Sequence, residues 1–330
     1  MTKILMTSVR PDEQAAIRAA EARLGVEIVT SPELIKDALP LLDEVDGVVI
    51  QERGAVPAAV YPALKTAGIR QLTTRTAGYD MIDLAAAREN GLTVTNVPAY
   101  SPRSVAEFAL MQTFRLLRHT AQFDHRVAQS DFRWTPDLQA KEIHSATVGI
   151  IGVGRIGSTL AQLLHALGAR VLGFDRAPRT DLAGVVEFTD KQTLLKESDV
   201  VSLHVNLNPS SVGLLDAVDF ALMKPTAGLV NASRGPVVNT DALIAALKAG
   251  QLAGAALDTV EGEAAVFNQD HRQDQLAASP QIKELAAMEQ VIITPHIAFF
   301  TNIAVQNMVD IALDDVCAIL QGQAPKNAVK

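Results

Sequence analysis

Short runs of β-branched and apolar residues alternate with helix-period segments along almost the whole chain, and few folds are compatible with that rhythm. It is the mark of parallel sheets joined by helices, an α/β fold. Residues 3–9, 26–30, 47–50, 71–74 and 92–95 read as strands, with helices over 11–24, 57–67 and 83–90 between them. The rhythm restarts with a strand at 146–151, a helix at 156–167 and a strand at 170–174, then strands at 200–204, 229–231, 253–257 and 291–294. Two doubly wound parallel sheets fit this better than one, and 330 residues suggest two domains on length alone. Two prolines and a tyrosine at 96–101 precede a long helical pattern at 104–119 and read as a hinge. A last helical pattern, 301–320, is placed to cross back onto the first domain. The expected division is therefore a discontinuous domain of residues 1–100 and 300–330, and a second domain of residues 101–299.

Composition narrows the function classes. The chain is 48% hydrophobic and 20% charged, with 29 basic against 37 acidic residues and a net charge of −8. With no basic cluster, duplex nucleic acid is not an expected partner. A small anionic ligand has to be drawn in by a few placed cations or helix N-termini. Cys317 is the single cysteine and cannot form an internal bridge or a thiolate zinc site, which points to a reducing compartment, the cytoplasm. The opening apolar stretch is broken by Arg10 and Pro11, so it reads as neither a signal peptide nor an anchor, and no stretch is long enough to span a membrane. The histidines show no metal-ligand spacing, so no metal site is expected.

The segment TVGIIGVGRIG at 147–157 ends an apolar strand and opens a helix, with G-x-G-x-x-G at Gly152, Gly154 and Gly157. The context is that of a dinucleotide site. A second strand follows, and Asp175 stands at its end, 18 residues past Gly157. Gly152 permits the tight turn, Gly154 lets the backbone approach a pyrophosphate, and Gly157 lets the helix pack on the strand. The helix N-terminus offers its N–H groups to the phosphates. Asp175 accepts from ribose hydroxyls and repels a 2′-phosphate, which selects NAD over NADP. Arg176 and Arg179 nearby read as surface residues or neighbours of an adenine.

Three polar residues stand at strand ends in the second half: Arg234 in NASRG, Glu263 in LDTVEGE and His296 in ITPHIA. Ligands of open α/β sheets lie beyond the carboxyl ends of strands, where all three can face the cofactor crevice. The set suits 2-oxo acid reduction. A guanidinium fork holds the carboxylate and polarises the carbonyl, an imidazolium gives a proton, and a carboxylate holds the ring and stabilises its charged form.

These residues resemble the signature of the D-isomer-specific 2-hydroxyacid dehydrogenases, and within them the D-lactate dehydrogenase branch. The similarity runs through RTAGYDMID at 75–83, VPAYSP at 97–102, the glycine turn, and the three segments just named. It implies a Rossmann NAD-binding domain and a discontinuous, flavodoxin-like catalytic domain, with a homodimer formed through the NAD domain. It implies that Arg234, Glu263 and His296 are catalytic, and that the backbone of Ala77 and Gly78 with the Tyr100 side chain holds the substrate carboxylate. Arg155, Ile156, Asp175, Val205, Asn206, Ala232, Ser233, Arg234 and Asp258 are implied to line the NAD site, with Asp258 near the nicotinamide carboxamide.

The sequence departs from the family in three places. Asn206 replaces a common proline, Phe299 keeps a ring where a tyrosine is frequent, and Gln51 stands where many lactate enzymes place an aromatic at the pocket entrance. Gln51 leaves room for larger 2-oxo acids such as phenylpyruvate unless Glu52 or Arg53 fills it, and Phe299 offers an apolar surface. Other polar residues have plainer readings: Asp80 and Asp83 as caps of the helix near Leu84, His204 and His144 as structural, His271 and Arg272 as solvated in the polar loop 263–280. Two rival functions remain in view, an NAD-sensing corepressor and a 3-phosphoglycerate dehydrogenase.

Overall fold

A computed structural model describes residues 1–52, 54–274, 276 and 279–329. The chain divides into two compact units, Met1–Ser101 with Phe300–Lys330, and Pro102–Phe299. The first unit holds strands β1 (Lys3–Met6), β2 (Glu27–Thr30), β3 (Gly47–Ile50), β4 (Gln71–Thr74) and β5 (Thr93–Thr95). They form one parallel sheet in the order β2-β1-β3-β4-β5. That is the flavodoxin-like doubly wound order, whose reversal at β1 and β3 places a crevice at their carboxyl ends. Helices α1 (Gln14–Leu24), α2 (Val60–Thr66) and α3 (Leu84–Glu89) connect the strands. Asp83 is the cap of α3, accepting from the N–H groups of Ala85 and Ala86, so the cap expected of Asp80 belongs to Asp83 alone. In β3 all four residues are buried, as a strand covered on both faces requires.

The second unit opens with α4 (Pro102–Leu117) and α5 (Thr120–Ala128). Its strands are β6 (Thr147–Ile151), β7 (Arg170–Phe174), β8 (Glu187–Phe188), β9 (Val200–Leu203), β10 (Gly228–Asn231), β11 (Gly254–Leu257) and β12 (Val291–Ile293). They pair in parallel as β12-β11-β10-β9-β6-β7-β8, the doubly wound dinucleotide-binding order with one strand added. Helices α6 (Arg155–Ala166), α7 (Lys191–Glu197), α8 (Ala217–Phe220), α9 (Thr240–Lys248) and α10 (Pro280–Ala286) belong to this unit, and α11 (Asn302–Leu320) belongs to the first. Two apolar layers sandwich the seven-stranded sheet: one contains Ile151, Leu203, Leu229 and Leu257, the other Val148, Ile150, Val200 and Val230. The alternation along β6, Val148 and Ile150 against Ile151, is the period of two that assigns each side chain to a face.

Several elements differ from the sequence expectation. The strand expected at 3–9 ends at Met6, because Ser8 takes a positive φ of 53° and turns the chain. The helix expected from residue 11 begins as a 3₁₀ turn at Pro11–Glu13. Helices α5, α7, α8, α9 and α10 went unpredicted, being 4 to 9 residues long and too short for a clear helical period.

Candidate active site

The glycine turn is shaped by what its residues lack. Gly152 has a φ of 94°, and a Cβ there would stand 2.7 Å from the His204 carbonyl carbon. At Gly157 a Cβ would lie 2.1 Å from the Gly152 oxygen, so only glycine lets α6 start this close to β6. A Cβ on Gly154 would meet nothing within 4 Å. That open side lies beside the N-terminus of the 12-residue helix α6, which begins at Arg155 and Ile156 and whose first N–H groups suit an anion such as a pyrophosphate. Val205 packs against the turn, its Cγ1 2.9 Å from where a Cβ on Gly152 would stand. Asn206 is exposed, and its carbonyl accepts from Ser211 Oγ at 2.7 Å.

Asp175 follows β7 and is fixed by the backbone. Its Oδ2 accepts from Val153 N at 2.7 Å and its Oδ1 from Ala177 N at 3.0 Å. The carboxylate thus ties the end of β7 to the glycine turn, where a ribose acceptor belongs. Next to it Arg176 is exposed, while Arg179 is held by Asp181 and Ser158 Oγ. His204, at the end of β9, bonds Ser202 Oγ at 2.9 Å through Nε2, and its buried Nδ1 has no partner among the described residues. Desolvation lowers the ring to about 4, so it is neutral at neutral pH.

The three polar strand ends come together as the register dictates. Asn231 pairs with Leu257, and Leu257 with Ile293, so the loops leaving β10, β11 and β12 start side by side. His296 Nδ1 meets Glu263 Oε1 at 2.7 Å, and Glu263 Oε2 accepts from Val260 N at 2.8 Å. One carboxylate thus anchors the ring and its own loop. The His296 side chain keeps 39% of its surface exposed, which leaves Nε2 a way out of the pair. Its backbone is left-handed, φ 55°, an uncommon state for a residue with a Cβ. The N–H of His296 donates to the carbonyls of Asp258 and Thr294, both at 2.9 Å, and this holds it there. The next two N–H groups, of Ile297 and Ala298, donate to the Asp258 carboxylate at 3.0 and 2.9 Å, and Thr294 Oγ1 adds a bond of 2.7 Å. Burial pushes the Asp258 carboxyl up, and these bonds oppose it.

Arg234 follows β10 and is half-buried, its Nη1 on the Ser233 carbonyl at 2.9 Å. Asn231 braces this turn: its Oδ1 accepts from Ser233 N and Oγ, and its Nδ2 reaches the Arg234 and Thr259 carbonyls. A Cβ on Gly235 would stand 2.2 Å from the Val260 carbonyl carbon, so the arginine turn, with Ala232 and Ser233, lies directly on the segment leading to Glu263. Phe299 sets its ring edge-on to His296, centroids 6.4 Å apart.

In the first unit the carbonyls of Ala77 and Gly78 are taken, by Asn96 Nδ2 at 2.7 Å and Thr76 Oγ1 at 2.6 Å. Their N–H groups make no bond among the described residues, which suits them to an anion. The Tyr100 carbonyl accepts from Asn307 Nδ2 at 2.6 Å, fixing that residue to α11. Gln51 Oε1 accepts from Arg10 Nη1 at 2.6 Å. Glu52 turns inward to Ile35 N, so it does not fill the space beside Gln51, and Arg53 lies outside the described residues.

The expectation of a solvated His271 is corrected. Its Nε2 bonds the Val266 carbonyl and its Nδ1 faces Asp274, so the side chain is 13% exposed and staples the loop after Glu263. The braces Asn231, Thr294 and Arg10 were missed; the first two lie inside motifs that were recognised, whereas no local pattern marks the third. Among the described residues no cluster of metal-binding side chains occurs, and no helix is long and apolar enough to cross a membrane.

Comparison with known proteins places the fold in a family. Residues 110–298 match the model of the D-isomer specific 2-hydroxyacid dehydrogenase, NAD binding domain. A D-2-hydroxyacid dehydrogenase (NAD(+)) of Clostridioides difficile is 38% identical over 331 residues, covering 99% of each chain. A solved D-lactate dehydrogenase from Sporolactobacillus sp. is 54% identical with a TM-score of 0.85, covering 100% of this chain and 99% of that one. The NAD-complexed D-isomer specific 2-hydroxyacid dehydrogenase of Lactobacillus delbrueckii ssp. bulgaricus is 38% identical with a TM-score of 0.87, covering all of both.

Proposed function

The chain belongs to the D-isomer-specific 2-hydroxyacid dehydrogenases, enzymes with NAD as cofactor, and on that premise we propose that it reduces 2-oxo acids to D-2-hydroxy acids. Pyruvate is the reference substrate, and larger acids such as phenylpyruvate are within range. The observation that carries this reading is the 2.7 Å contact of His296 with Glu263. An imidazole braced at Nδ1 by a carboxylate is oriented to give a proton from Nε2.

Bound at the glycine turn, NADH supplies the hydride. Arg234 presents its guanidinium fork to the substrate carboxylate and polarises the C2 carbonyl, and His296 protonates the oxygen as it gains charge. In the first unit the open N–H groups of Ala77 and Gly78, with Tyr100, are assigned to the carboxylate, and Gln51 to the substrate side chain, as is Phe299 in the second unit. Gly152, Gly154, Arg155, Ile156, Gly157, Asp175, Val205, Asn206, Ala232, Ser233 and Asp258 are assigned to NAD. Because Asp258 Oδ2 carries one bond against two on Oδ1, it retains room for a carboxamide donor while shaping the His296 loop.

The reading includes a cytoplasmic homodimer formed through the second unit. Phe132 and Trp134 are 76% and 89% exposed there, an apolar surface of the kind a second copy covers. A panel of pyruvate, phenylpyruvate and 3-phosphohydroxypyruvate with NADH tests the function, with the configuration of the product determined. Turnover of the first two with a D product is expected. A preference for the phosphorylated acid favours phosphoglycerate dehydrogenase, and NADH binding without turnover favours the corepressor.

A further inference from the structure

In the first unit a chain of charged groups, of which only Arg75 lies inside a recognised motif, reaches Gln51. Arg75 is fully buried at the end of β4, bonded to Glu13 through Nε at 2.7 Å and Nη2 at 3.1 Å, and to the carbonyls of Thr7 and Ser8, both at 2.8 Å. Glu13, itself fully buried, accepts the backbone N–H of Arg10 at 2.8 Å. The place of Arg10 is therefore fixed by a buried pair rather than by a surface loop. Its guanidinium lies in a fork on Asp12, both bonds 3.0 Å, sits 5.9 Å over the Phe300 ring, and gives Nη1 to Gln51 Oε1.

The bond to Gln51 settles its amide. An arginine only donates, so the atom facing it has to be the amide oxygen, and the NH₂ group must turn the other way. Gln51 is half-buried and follows β3, whose last residue Ile50 pairs with Thr74 of β4. It thus emerges beside the segment of Arg75, Ala77 and Gly78.

We propose that Arg10 is a specificity-positioning residue that commits Gln51 to present two N–H donors, so that the enzyme favours 2-oxo acids carrying a hydrogen-bond acceptor on C3 over apolar ones of equal size. The inference rests on the assignment of Gln51 to the substrate side chain. An apolar C3 group leaves the amide donors unpaired as water is displaced, whereas a hydroxyl or carboxylate accepts from them. The space that Gln51 opens admits larger substrates, and its polarity ranks them.

The test compares kcat/KM for 3-hydroxypyruvate and 2-oxobutyrate, which match in size and differ by a hydroxyl against a methyl on C3. The ratio is taken within each protein, so any general loss of activity cancels. The wild type should favour hydroxypyruvate about tenfold, the scale of one good hydrogen bond. Gln51→Leu should bring the ratio to one or below, and Arg10→Met, which releases the amide to turn over, should lower it at least about threefold. A wild-type ratio near one, a ratio that Gln51→Leu leaves in place, or one that Arg10→Met leaves unchanged overturns the inference. Should Arg10→Met fail to fold, Arg10→Ala is read in the same way. A wild type that turns over neither these acids nor pyruvate overturns the proposed function instead.

Discussion

At the glycine turn of the second unit, room is made by leaving side chains out, whereas at the 75–78 segment of the first unit a buried ion pair holds the backbone in place. A Cβ on Gly157 would meet the Gly152 oxygen at 2.1 Å, and one on Gly154 would meet nothing. On the other side, Arg75 and Glu13 are wholly buried on one another beside Ala77 and Gly78. Both arrangements are proposed to offer backbone N–H groups to an anion. The first is written in a local pattern of glycines; the second joins residues 62 apart in sequence, which no local pattern announces.

The comparison breaks most visibly at Arg75. Arg75→Met leaves the Glu13 carboxylate buried without its partner, and removing one member of such a pair costs about 3–5 kcal/mol. Urea unfolding should show that loss, while NADH affinity, set in the second unit, should hold under native conditions. A variant of wild-type stability would mean that the pair contributes nothing to the segment it supports.

His204 sharpens the contrast from the other side, because it lies directly under the glycine turn. Its ring is lowered from 6.5 to about 4 in the folded chain. The unfolded state therefore takes up the proton first. Stability is intact above about pH 6.5 and falls as the pH drops toward about 4, by up to about 3 kcal/mol. His204→Leu should remove that part of the acid sensitivity, read from urea midpoints at pH 7 and 4.5. Equal acid losses in the two proteins would show that the ring does not stay neutral.

Asp175 gives the smallest effect. Its carboxylate accepts from the N–H of Val153 and is proposed to hold the ribose, so Asp175→Ala should weaken NADH binding about tenfold, or ~1.4 kcal/mol, while narrowing the gap to NADPH. Fluorescence titration of both cofactors measures it. A wild type that binds the two equally would contradict the role given to Asp175.

Fold class and family were legible because parallel strands buried on both faces leave continuous apolar runs, such as the wholly buried β3 and β9. The glycine turn was legible for the steric reasons above. What sequence could not carry was the bracing. The left-handed backbone of His296 follows from bonds to Asp258, which lies 38 residues away and was expected only to face the nicotinamide. Likewise His271 reads as a solvated residue of a polar loop, and only the folded loop brings Val266 and Asp274 to its two nitrogens.

The central claim is that the His296–Glu263 pair delivers the proton, and the kinetics of pyruvate reduction by Glu263→Gln test it most directly. An amide keeps the shape of the carboxylate and removes the charge that faces His296 Nδ1 at 2.7 Å. The account predicts that kcat falls at least about tenfold while KM for pyruvate stays within about twofold of the wild type. A kcat equal to that of the wild type would contradict it.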